Sequence, residues 1–574
     1  MKRLFTIFYL SVIGFPLFSQ TTSVQIIHNS PDPVVASVDV YFYDGTFWIP
    51  QPVLYNFGFQ EASPYVPVPA SSGLRIALAP YDGTPSLSDT LVSFPLPPLT
   101  ANQEYVVVVC GLLGNSSAPL EIKVAPSAST ASNSGSFAMR VFHGSPDAPA
   151  VSVWASPNGV TPLFADLEYG SFSLLAEYPA DYYYLAISPA SDPNQLMMGF
   201  DADASTLGGL GCIIMASGFV APGAPEEFKL LLVLPDGTVI ELPENPGFRL
   251  QIAHNSPAPA LASADIHLEV APGVSFPIVQ GLGFRTATPT LLLPLISGNI
   301  LVTPAGGNPS NPLLSLPFNP QSFKNYLAIA HGVPNPGTNN FSHAFSVNGS
   351  QVALGIQVVD DAKIVASASN KLNVYAFHHG ADVPAVDLYR NDNGNLSPLI
   401  PDFSYSDTHQ TELDAVGTLR IDVMPAGTPN AIKAYTAPIS LFGGQSVTLL
   451  VSGFLTPDDE NVSNCPAFGL FALQVGGGNF IPLPELNLVG LDHPTAQASL
   501  TLYPIPARET VTVERELETF TPFFLVNCFG QTVIQGVLTG KTHTLDVSSL
   551  APGLYVLCTA DAAGSPVRQR FLKK

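Results

Sequence analysis

Short apolar runs, separated by glycine, proline, asparagine and aspartate, occupy most of the chain. Leu74-Arg-Ile-Ala-Leu-Ala-Pro80 and Leu419-Arg-Ile-Asp-Val-Met-Pro425 are two of them. Such runs, rich in β-branched and aromatic residues and bounded by turn formers, predict strands. Asp44-Gly45 and Asn393-Gly394 are typical of tight hairpin turns. No segment sustains the 3.6-residue period of a helix. The pattern predicts an all-β protein.

One strand–turn–strand pattern occurs four times along the chain. A short apolar strand ends at a histidine, a turn follows that in most copies contains proline and aspartate, and an alternating strand leads out. The histidines lie about 110 to 125 residues apart, which is the period of a domain repeat rather than of a solenoid turn. The residues that mark the repeat are His28, Pro31 and Asp32; His143, Pro146 and Asp147; His254 and Pro257; and His378 and Asp382.

Each repeat contains enough strand signals for a β-sandwich. We therefore predict four tandem immunoglobulin-like β-sandwich modules plus a small C-terminal β-sandwich. We also expect each module to fold alone, because about 110 residues suffice for a sandwich core. The predicted boundaries are a signal peptide at 1–20, module 1 at 21–125, module 2 at 137–245, module 3 at 248–360, module 4 at 371–485 and a C-terminal domain at 499–574.

The N-terminus predicts export. Lys2-Arg3 precedes an apolar stretch at 4–18 that is short for a membrane span, and Ser19-Gln20 follows it, which together are typical of a secretory signal peptide. Proline and glycine interrupt every other apolar stretch, so we expect no membrane span.

Charge and cysteine content exclude several classes of protein. The net charge is −23 with only 21 Lys+Arg, which argues against binding to nucleic acid or anionic lipid. The five cysteines have no metal-ligand or redox spacing. Cys528 and Cys558 form the only pair within one predicted domain. Whether they form a disulfide or are buried thiols stays open.

The repeated pattern H-[GN]-S-P-D-x-P, followed by V-D-V-Y, resembles the domain of unknown function family 4397, which is found in secreted bacterial proteins. Module 2 matches it most clearly. Module 3 has Ala258 in place of the turn aspartate, and module 4 has Gly380-Ala381 in place of Ser-Pro. The resemblance covers roughly residues 23–484, most of the mature chain, and it implies a β-sandwich module without assigned chemistry.

The last 76 residues change character and resemble the type A C-terminal sorting domain of the Bacteroidetes type IX secretion system. Ile505 stands where that family usually has asparagine. The resemblance implies recognition by the type IX translocon and delivery through the periplasm to the outer surface or the medium. It rests on Tyr503, Pro504 and Pro506, on Gly530, on Gly553 and Tyr555, and on Lys573 and Lys574.

No catalytic or phosphate-binding motif is present, and we expect no cofactor. The repeated histidines could bind metal, but one per module favours an imidazole that bonds to turn backbone. The aspartates Asp32, Asp147 and Asp382 favour Asx-turns, with a calcium site that includes Asp39 or Asp387 as the alternative. Trp48 and Trp154 favour packing, with a sugar-binding platform as the alternative.

These observations favour a non-enzymatic exported protein that binds or adheres, with an extracellular glycan or protein as its ligand. Several similar modules would raise avidity. A passive stalk or matrix component is the main alternative. An enzyme with an unrecognised site is a further one.

Overall fold

A computed structural model describes most of the chain. The described residues are 21–43, 53–70, 72–84, 86–336, 352–392, 394–428, 431–459, 463–486, 500–515, 520–527, 532–560 and 566–574. The predicted signal peptide at 1–20 lies outside them. Two compact units are formed. The described residues of 1–154, 163–192 and 197–245 form the first, and those of 155–162, 193–196 and 246–574 form the second.

The prediction of an all-β, sandwich-like fold is confirmed, since strands make up 57% of the structure. Among the described residues, no helix is long and apolar enough to cross a membrane. The helical segments are single 3₁₀ turns, such as Pro33–Val35, Leu87–Asp89, Pro259–Leu261, Ile439–Phe442 and Pro457–Asp459.

The strands follow the repeats. Module 1 contains β1 (Thr21–Asn29), β2 (Ser37–Tyr43), β3 (Leu54–Gly58), β4 (Glu61–Ala62), β5 (Val66–Pro69), β6 (Arg75–Pro80), β7 (Val92–Pro95), β8 (Glu104–Cys110) and β9 (Glu121–Ser127). Module 2 contains β10 (Ser136–His143), β11 (Val151–Ala155), β12 (Phe164–Leu167), β13 (Ala176–Pro179), β14 (Tyr182–Pro189), β15 (Met198–Asp203), β16 (Gly211–Ser217), β17 (Lys229–Val233) and β18 (Val239–Glu241).

Module 3 contains β19 (Gly247–His254), β20 (Ser263–Ala271), β21 (Val274–Gly283), β22 (Thr286–Ala287), β23 (Leu291–Pro294), β24 (Gly298–Pro304), β25 (Leu314–Phe318), β26 (Asn325–His331) and β27 (Gly355–Asp360). Module 4 contains β28 (Lys371–His378), β29 (Val386–Asp392), β30 (Asn395–Phe403), β31 (Thr408–Asp414), β32 (Leu419–Pro425), β33 (Lys433–Ala437), β34 (Ser446–Ser452), β35 (Gly469–Gln474), β36 (Gly478–Asn479), β37 (Ile481–Pro482) and β38 (Glu485–Leu486). The C-terminal domain contains β39 (Leu500–Tyr503), β40 (Thr510–Arg515), β41 (Thr521–Val526), β42 (Thr532–Leu538), β43 (Thr542–Asp546), β44 (Gly553–Ala560) and β45 (Pro566–Lys573).

Each module contains two sheets. In module 1 they are β4-β1-β8-β9, with β5 also paired to β1, and β3-β2-β6-β7. Module 2 repeats this arrangement as β13-β10-β16-β17-β18 and β12-β11-β14-β15. The first strand of every module pairs in parallel with the strand that precedes the repeated glycine, as in β1 with β8 and β10 with β16. The histidine turn therefore carries the chain from one sheet to the other.

Modules 3 and 4 keep the same plan. Their sheets are β27-β26-β19-β22-β36, with β23 also on β19, and β21-β20-β24-β25 in module 3; and β31-β28-β34-β35-β37 and β30-β29-β32-β33-β38 in module 4. The short strand β36 lies beyond β35 in the chain but pairs with β22 of module 3. The C-terminal domain has the sheets β39-β40-β43 and β42-β41-β44-β45.

Some strands are buried on both faces, which explains their continuous apolar sequence. In β8, Tyr105, Val107 and Val109 face the core of module 1. The alternate residues Val106, Val108 and Cys110 belong to a second apolar cluster. That cluster also contains Phe142, Ile213, Met215, Leu231 and Val233 of module 2. Modules 1 and 2 are thus joined by an apolar layer in addition to their own cores.

Modules 3 and 4 are joined in the same way. Their shared cluster contains Ala253, Leu327 and Ile329 of module 3 with Tyr375, Phe377, Leu450 and Leu473 of module 4. Buried amides complete each joint. Gln25 Nε2 donates to Leu234 O at 2.7 Å, and Gln251 Nε2 donates to Gln474 O at 2.7 Å. We call modules 1 and 3 the odd modules and modules 2 and 4 the even modules.

Candidate functional sites: the repeated loop and the C-terminal domain

The four repeated histidines brace the turn that follows them. Each ring lies at the end of a first strand, and its Nε2 contacts a backbone carbonyl oxygen of the turn. The distances are 2.6 Å from His28 to Val35, 2.9 Å from His143 to Pro149, 2.6 Å from His254 to Leu261 and 3.3 Å from His378 to Pro384. A carbonyl oxygen only accepts, so Nε2 carries the hydrogen. In agreement, Nδ1 of His28 accepts from Ser30 N–H at 3.3 Å.

Burial keeps these imidazoles neutral. It lowers the pKa of His28 and of His378 to about 4, and it also lowers the pKa of His143 and His254. Desolvation of the charged form is the main cause in each case. The neutral ring matches the tautomer that the hydrogen bonds require. The prolines of the same turns differ in exposure: Pro31 and Pro257 are buried, whereas Pro146 is half-buried.

The turn aspartates hold a second loop in place. Asp32 Oδ1 accepts from Val34 N–H at 2.8 Å, and its Oδ2 accepts from Leu113 N–H at 2.6 Å. Asp147 accepts from Val220 and Ala221 N–H, both at 2.9 Å. Asp382 accepts from the N–H groups of Leu455 and Thr456. Each carboxylate therefore connects the histidine turn to the loop after the glycine-ended strand. Ala258 of module 3 has no side-chain oxygen for this contact.

The repeated glycine is required at the start of that second loop. Gly111, Gly218, Gly332 and Gly453 have φ values of 91°, 78°, 74° and 90°. A Cβ atom at any of them would lie 1.9 to 2.4 Å from a backbone oxygen across the loop. Only glycine combines a positive φ with so close a backbone approach. The glycine and the aspartate thus shape one loop together.

The aspartates of the second signature strand are likewise used within the fold. Asp387 accepts from Asp402 N–H at 2.7 Å and from Gly427 N–H at 3.1 Å. Asp39 accepts from Asn56 N–H at 2.9 Å. Asp265, which the sequence analysis does not single out, makes the equivalent contacts with Gly281 and Gly306 at 2.7 Å each. Its place in Ala264-Asp-Ile-His267 was the available signal. Among the described residues, no group of three or more His, Cys, Asp or Glu is placed to hold a metal ion.

The two tryptophans differ in what the structure describes. Trp154 is 2% exposed, and its Nε1 donates to Ser188 Oγ at 3.0 Å. A ring so deeply buried has no face open to a sugar. Trp48 lies outside the described residues, as do Cys528 and Gly530.

Burial raises the pKa of Cys110 and of Cys212 to about 12, so these thiols are protonated at neutral pH.

The adjacent histidines of module 4 point to opposite faces of β28 and its extension. His378 braces its own turn, whereas His379 stacks on His331 of module 3, with ring centroids 4.4 Å apart and planes within 6°. His379 Nε2 donates to Gln357 Oε1 at 2.7 Å, and His331 Nδ1 contacts the Tyr405 hydroxyl at 2.7 Å. Burial lowers the pKa of His331 to about 4 and that of His379 well below its usual value. This pair belongs to the joint between modules 3 and 4, which the sequence analysis missed.

Three of the C-terminal motif residues, Gly553, Tyr555 and Lys573, lie on the last two strands of the terminal sandwich. Strand β44 pairs with β45 from Gly553 and Lys573 to Ala560 and Pro566. Tyr555 is buried against Phe571, with ring centroids 5.8 Å apart, and its hydroxyl donates to Ala551 O at 2.8 Å. Lys573 is buried, and its Nζ donates to the backbone O of Lys574 at 2.9 Å.

The remaining motif residues of this domain are exposed. Tyr503 ends β39 and is 43% exposed. Pro504 and Pro506 follow it in an exposed turn, and Lys574 is exposed at the other end of the motif. The motif therefore contains both buried residues, which pack inside the domain, and exposed residues, which a binding partner can contact.

The C-terminal domain also contacts module 4. Phe524 of β41 is buried against Phe442, with ring centroids 5.3 Å apart. Phe524 thereby extends the apolar core of module 4. Gln535 Nε2 donates to Gly477 O at 3.3 Å. The terminal sandwich thus packs on module 4 as well as on itself.

Two family models match the chain. A domain of unknown function, DUF4397, matches residues 22–154, and a secretion system C-terminal sorting domain matches residues 501–574. Both resemblances seen in the sequence are confirmed, and the repeated loop geometry of modules 2 to 4 is consistent with further copies of the first. The sorting domain directs the chain to the type IX secretion system, and so to the cell surface or the extracellular space.

No curated protein sequence matches the chain. A solved structure of the TIE protein of Bacillus anthracis matches at 10% identity over 79% of this chain and 67% of that one, with a TM-score of 0.11. PorZ, described as an essential surface component of the type IX secretion system of Porphyromonas gingivalis, matches at 11% identity over 94% and 73%, with a TM-score of 0.14. TM-scores this low carry no argument about fold or function.

Proposed function

We propose that this exported protein is a non-enzymatic binding or adhesion protein, which presents its four sandwich modules outside the cell. The observation that carries the proposal is the use of the repeated polar groups. His28 and Asp32, and their counterparts, are engaged with backbone of their own module. The repeated residues thus serve to hold each module in shape. Four modules of similar structure are suited to multivalent attachment to a glycan or protein outside the cell.

The joints between modules favour a second candidate, a passive stalk or matrix component. Modules 1 and 2 share an apolar layer, and so do modules 3 and 4. Paired modules form stiffer blocks than modules on flexible linkers, which suits a spacer. An enzyme with an unrecognised site is the least supported of the three, since all four modules use the repeated histidine, and three of them the turn aspartate, to hold their own loops.

A binding assay separates the first two candidates. Purified residues 21–486 would be incubated with arrays of extracellular glycans and with insoluble cell-envelope polymers. A binding protein retains at least one of these reproducibly, with a signal that falls when residues 21–245 alone replace the four modules. A passive stalk retains none above the level of an unrelated acidic protein, and that result would overturn the binding proposal.

A further inference from the structure

Two stacked imidazoles cross the joint between modules 3 and 4. His331 ends β26 of module 3, and His379 directly follows β28 of module 4. Their ring centroids lie 4.4 Å apart, with planes within 6° of each other. His379 is fully buried, whereas His331 is half-buried. A proton from solvent can therefore reach His331, while a charge on His379 would lie in the interior of the joint.

The hydrogen bonds around His379 hold its ring in the neutral form. The amide Nε2 of Gln357 donates to Ser406 O at 2.7 Å and to Thr408 Oγ1 at 2.6 Å. This orientation turns Gln357 Oε1 towards His379, so His379 Nε2, at 2.7 Å, carries the hydrogen. His379 Nδ1 has no hydrogen-bond partner among the described residues. A second proton, placed on Nδ1, would therefore be buried without an acceptor.

The ring of His331 is held in the neutral form by a tyrosine. Burial raises the pKa of the Tyr405 hydroxyl, which therefore stays protonated and donates to His331 Nδ1 at 2.7 Å. Protonation of this nitrogen would force the hydrogen bond to reverse its direction. It would also place a positive charge 4.4 Å from the centre of the second imidazole.

The charged groups near the stack do not compensate a proton on it. Among the described residues, neither imidazole has a carboxylate partner, and the groups that act on the pKa of His379 are His331 and His378, both of which lower it. Asp407 acts instead on His378, whose pKa it raises. Arg285, which hydrogen-bonds module 4 across the same joint, adds a charge of the same sign. Protonation of either stacked ring therefore opposes closure of the joint.

The joint between modules 1 and 2 lacks this stack and provides a reference within the same molecule. Where module 3 has His331 before its repeated glycine, module 1 has Cys110. Where module 4 has His379 after its bracing histidine, module 2 has Gly144. The two joints otherwise correspond, since each has a shared apolar layer and buried amides. A difference in their response to acid can therefore be assigned to the stacked histidines.

We propose that the His331–His379 stack makes the joint between modules 3 and 4 acid-sensitive, so that it loosens on acidification while modules 1 and 2 stay joined. Burial in the closed joint lowers the pKa of His331 to about 4, from 6.5 in solvent. The closed joint thus binds fewer protons than the open one between these values. Its stability is complete above pH 6.5 and falls as the pH approaches 4. The inference goes beyond the proposed attachment role and does not depend on it.

The test uses the purified full chain and hydrogen–deuterium exchange followed by mass spectrometry at pH 7, 5.5 and 4. Protection is expressed relative to the intrinsic exchange rate at each pH. A ring with the pKa values of His331 shifts the opening equilibrium by about 100-fold between pH 7 and pH 4. We therefore expect peptides from β26 and β28 to lose about 100-fold more protection than peptides from β8 and β10.

Substitutions assign the effect to the two rings. His379→Gln removes the buried titratable group and keeps an amide donor for Gln357. It should reduce the extra loss of protection, as should His331→Gln, and the double variant should abolish it. His409→Gln is the matched control, because His409 is a half-buried histidine on β31 of module 4 that is not part of the stack. It should leave the extra loss unchanged.

The comparison of the two joints in the unmodified chain decides the test even when a variant fails to fold. Equal loss of protection in both joints on acidification would overturn the proposal. So would an extra loss that persists in the folded double variant, or one that His409→Gln reduces as much as His331→Gln does.

Discussion

Removing module 1 would expose to water one face of the β10-β16-β17 sheet of module 2. Five large apolar side chains of that face are at most 2% exposed while the two modules are joined: Phe142, Ile213, Met215, Leu231 and Val233. Complete burial of one such side chain contributes about 1.5–3 kcal/mol. Loss of the partner therefore removes on the order of 10 kcal/mol, as an upper estimate.

That loss is comparable with the whole stability of a typical domain, about 5–15 kcal/mol. The expectation from sequence that each module folds alone is therefore replaced by a different one. Residues 137–245 produced alone should be molten or largely unfolded, whereas residues 21–245 should unfold cooperatively.

Urea titrations followed by far-UV circular dichroism would measure the difference. Trp154 is buried and is the only tryptophan of 137–245, so its fluorescence reports on module 2. With Trp48→Phe, the same probe serves in the longer fragment. Within 21–245, Met215→Asp should mimic removal of module 1, because it buries an unpaired charge in the shared layer. Leu174→Asp, on an exposed site, should leave the midpoint unchanged.

An equal urea midpoint for the two fragments would refute this reasoning. The shared apolar layer would then contribute little to stability. The independent folding of modules would stand.

Three further predictions follow from the loop and the C-terminal domain. Asp32→Ala leaves the N–H groups of Val34 and Leu113 without their acceptor, and should lower the free energy of unfolding by about 1–3 kcal/mol in urea titrations; an unchanged midpoint would contradict the bracing role. Because the pKa of His28 is lowered from 6.5 to about 4 in the folded state, the unfolded chain binds more protons between these values. The stability that the neutral ring provides is thus complete above pH 6.5 and is lost as the pH falls towards 4, by about 3 kcal/mol. Since the other buried histidines contribute in the same pH range, His28→Gln should reduce the pH dependence of the urea midpoint without abolishing it, and an unchanged slope would contradict the role of His28. Deleting residues 553–574 removes β44 and β45, and should strand the protein in the periplasm with its modules folded; cell fractionation showing normal amounts of the truncated chain at the surface or in the medium would contradict the sorting role.

Local pattern was enough to predict the all-β fold and the repeat. The turn formers punctuate the strands, and the apolar residues of β2 and β6 follow directly from strand propensity. The histidine turn could be located because its residues recur in register. The sorting domain could be predicted because its motifs stand in order at the C-terminus.

The joints between modules could not be derived from one strand at a time. Glu-Tyr-Val-Val-Val-Val-Cys of β8 indicates a strand buried on two faces, but it does not say what covers the second. The sequence nevertheless contains an indication of these joints. The odd modules have Gln25 and Asn29, or Gln251 and Asn255, around their histidines, and the even modules have other residues there. These amides reach the next module in the structure.

The pairing of odd with even modules also determines how many modules such a chain can gain or lose at a time. An odd module offers an apolar sheet face and a pair of amides that need an even module beside them. A chain shortened or extended by one module would leave that face open to solvent, where it would promote association between chains. Gain or loss of two modules at a time would keep every such face covered. For anyone recombining these modules, the unit to exchange is the pair.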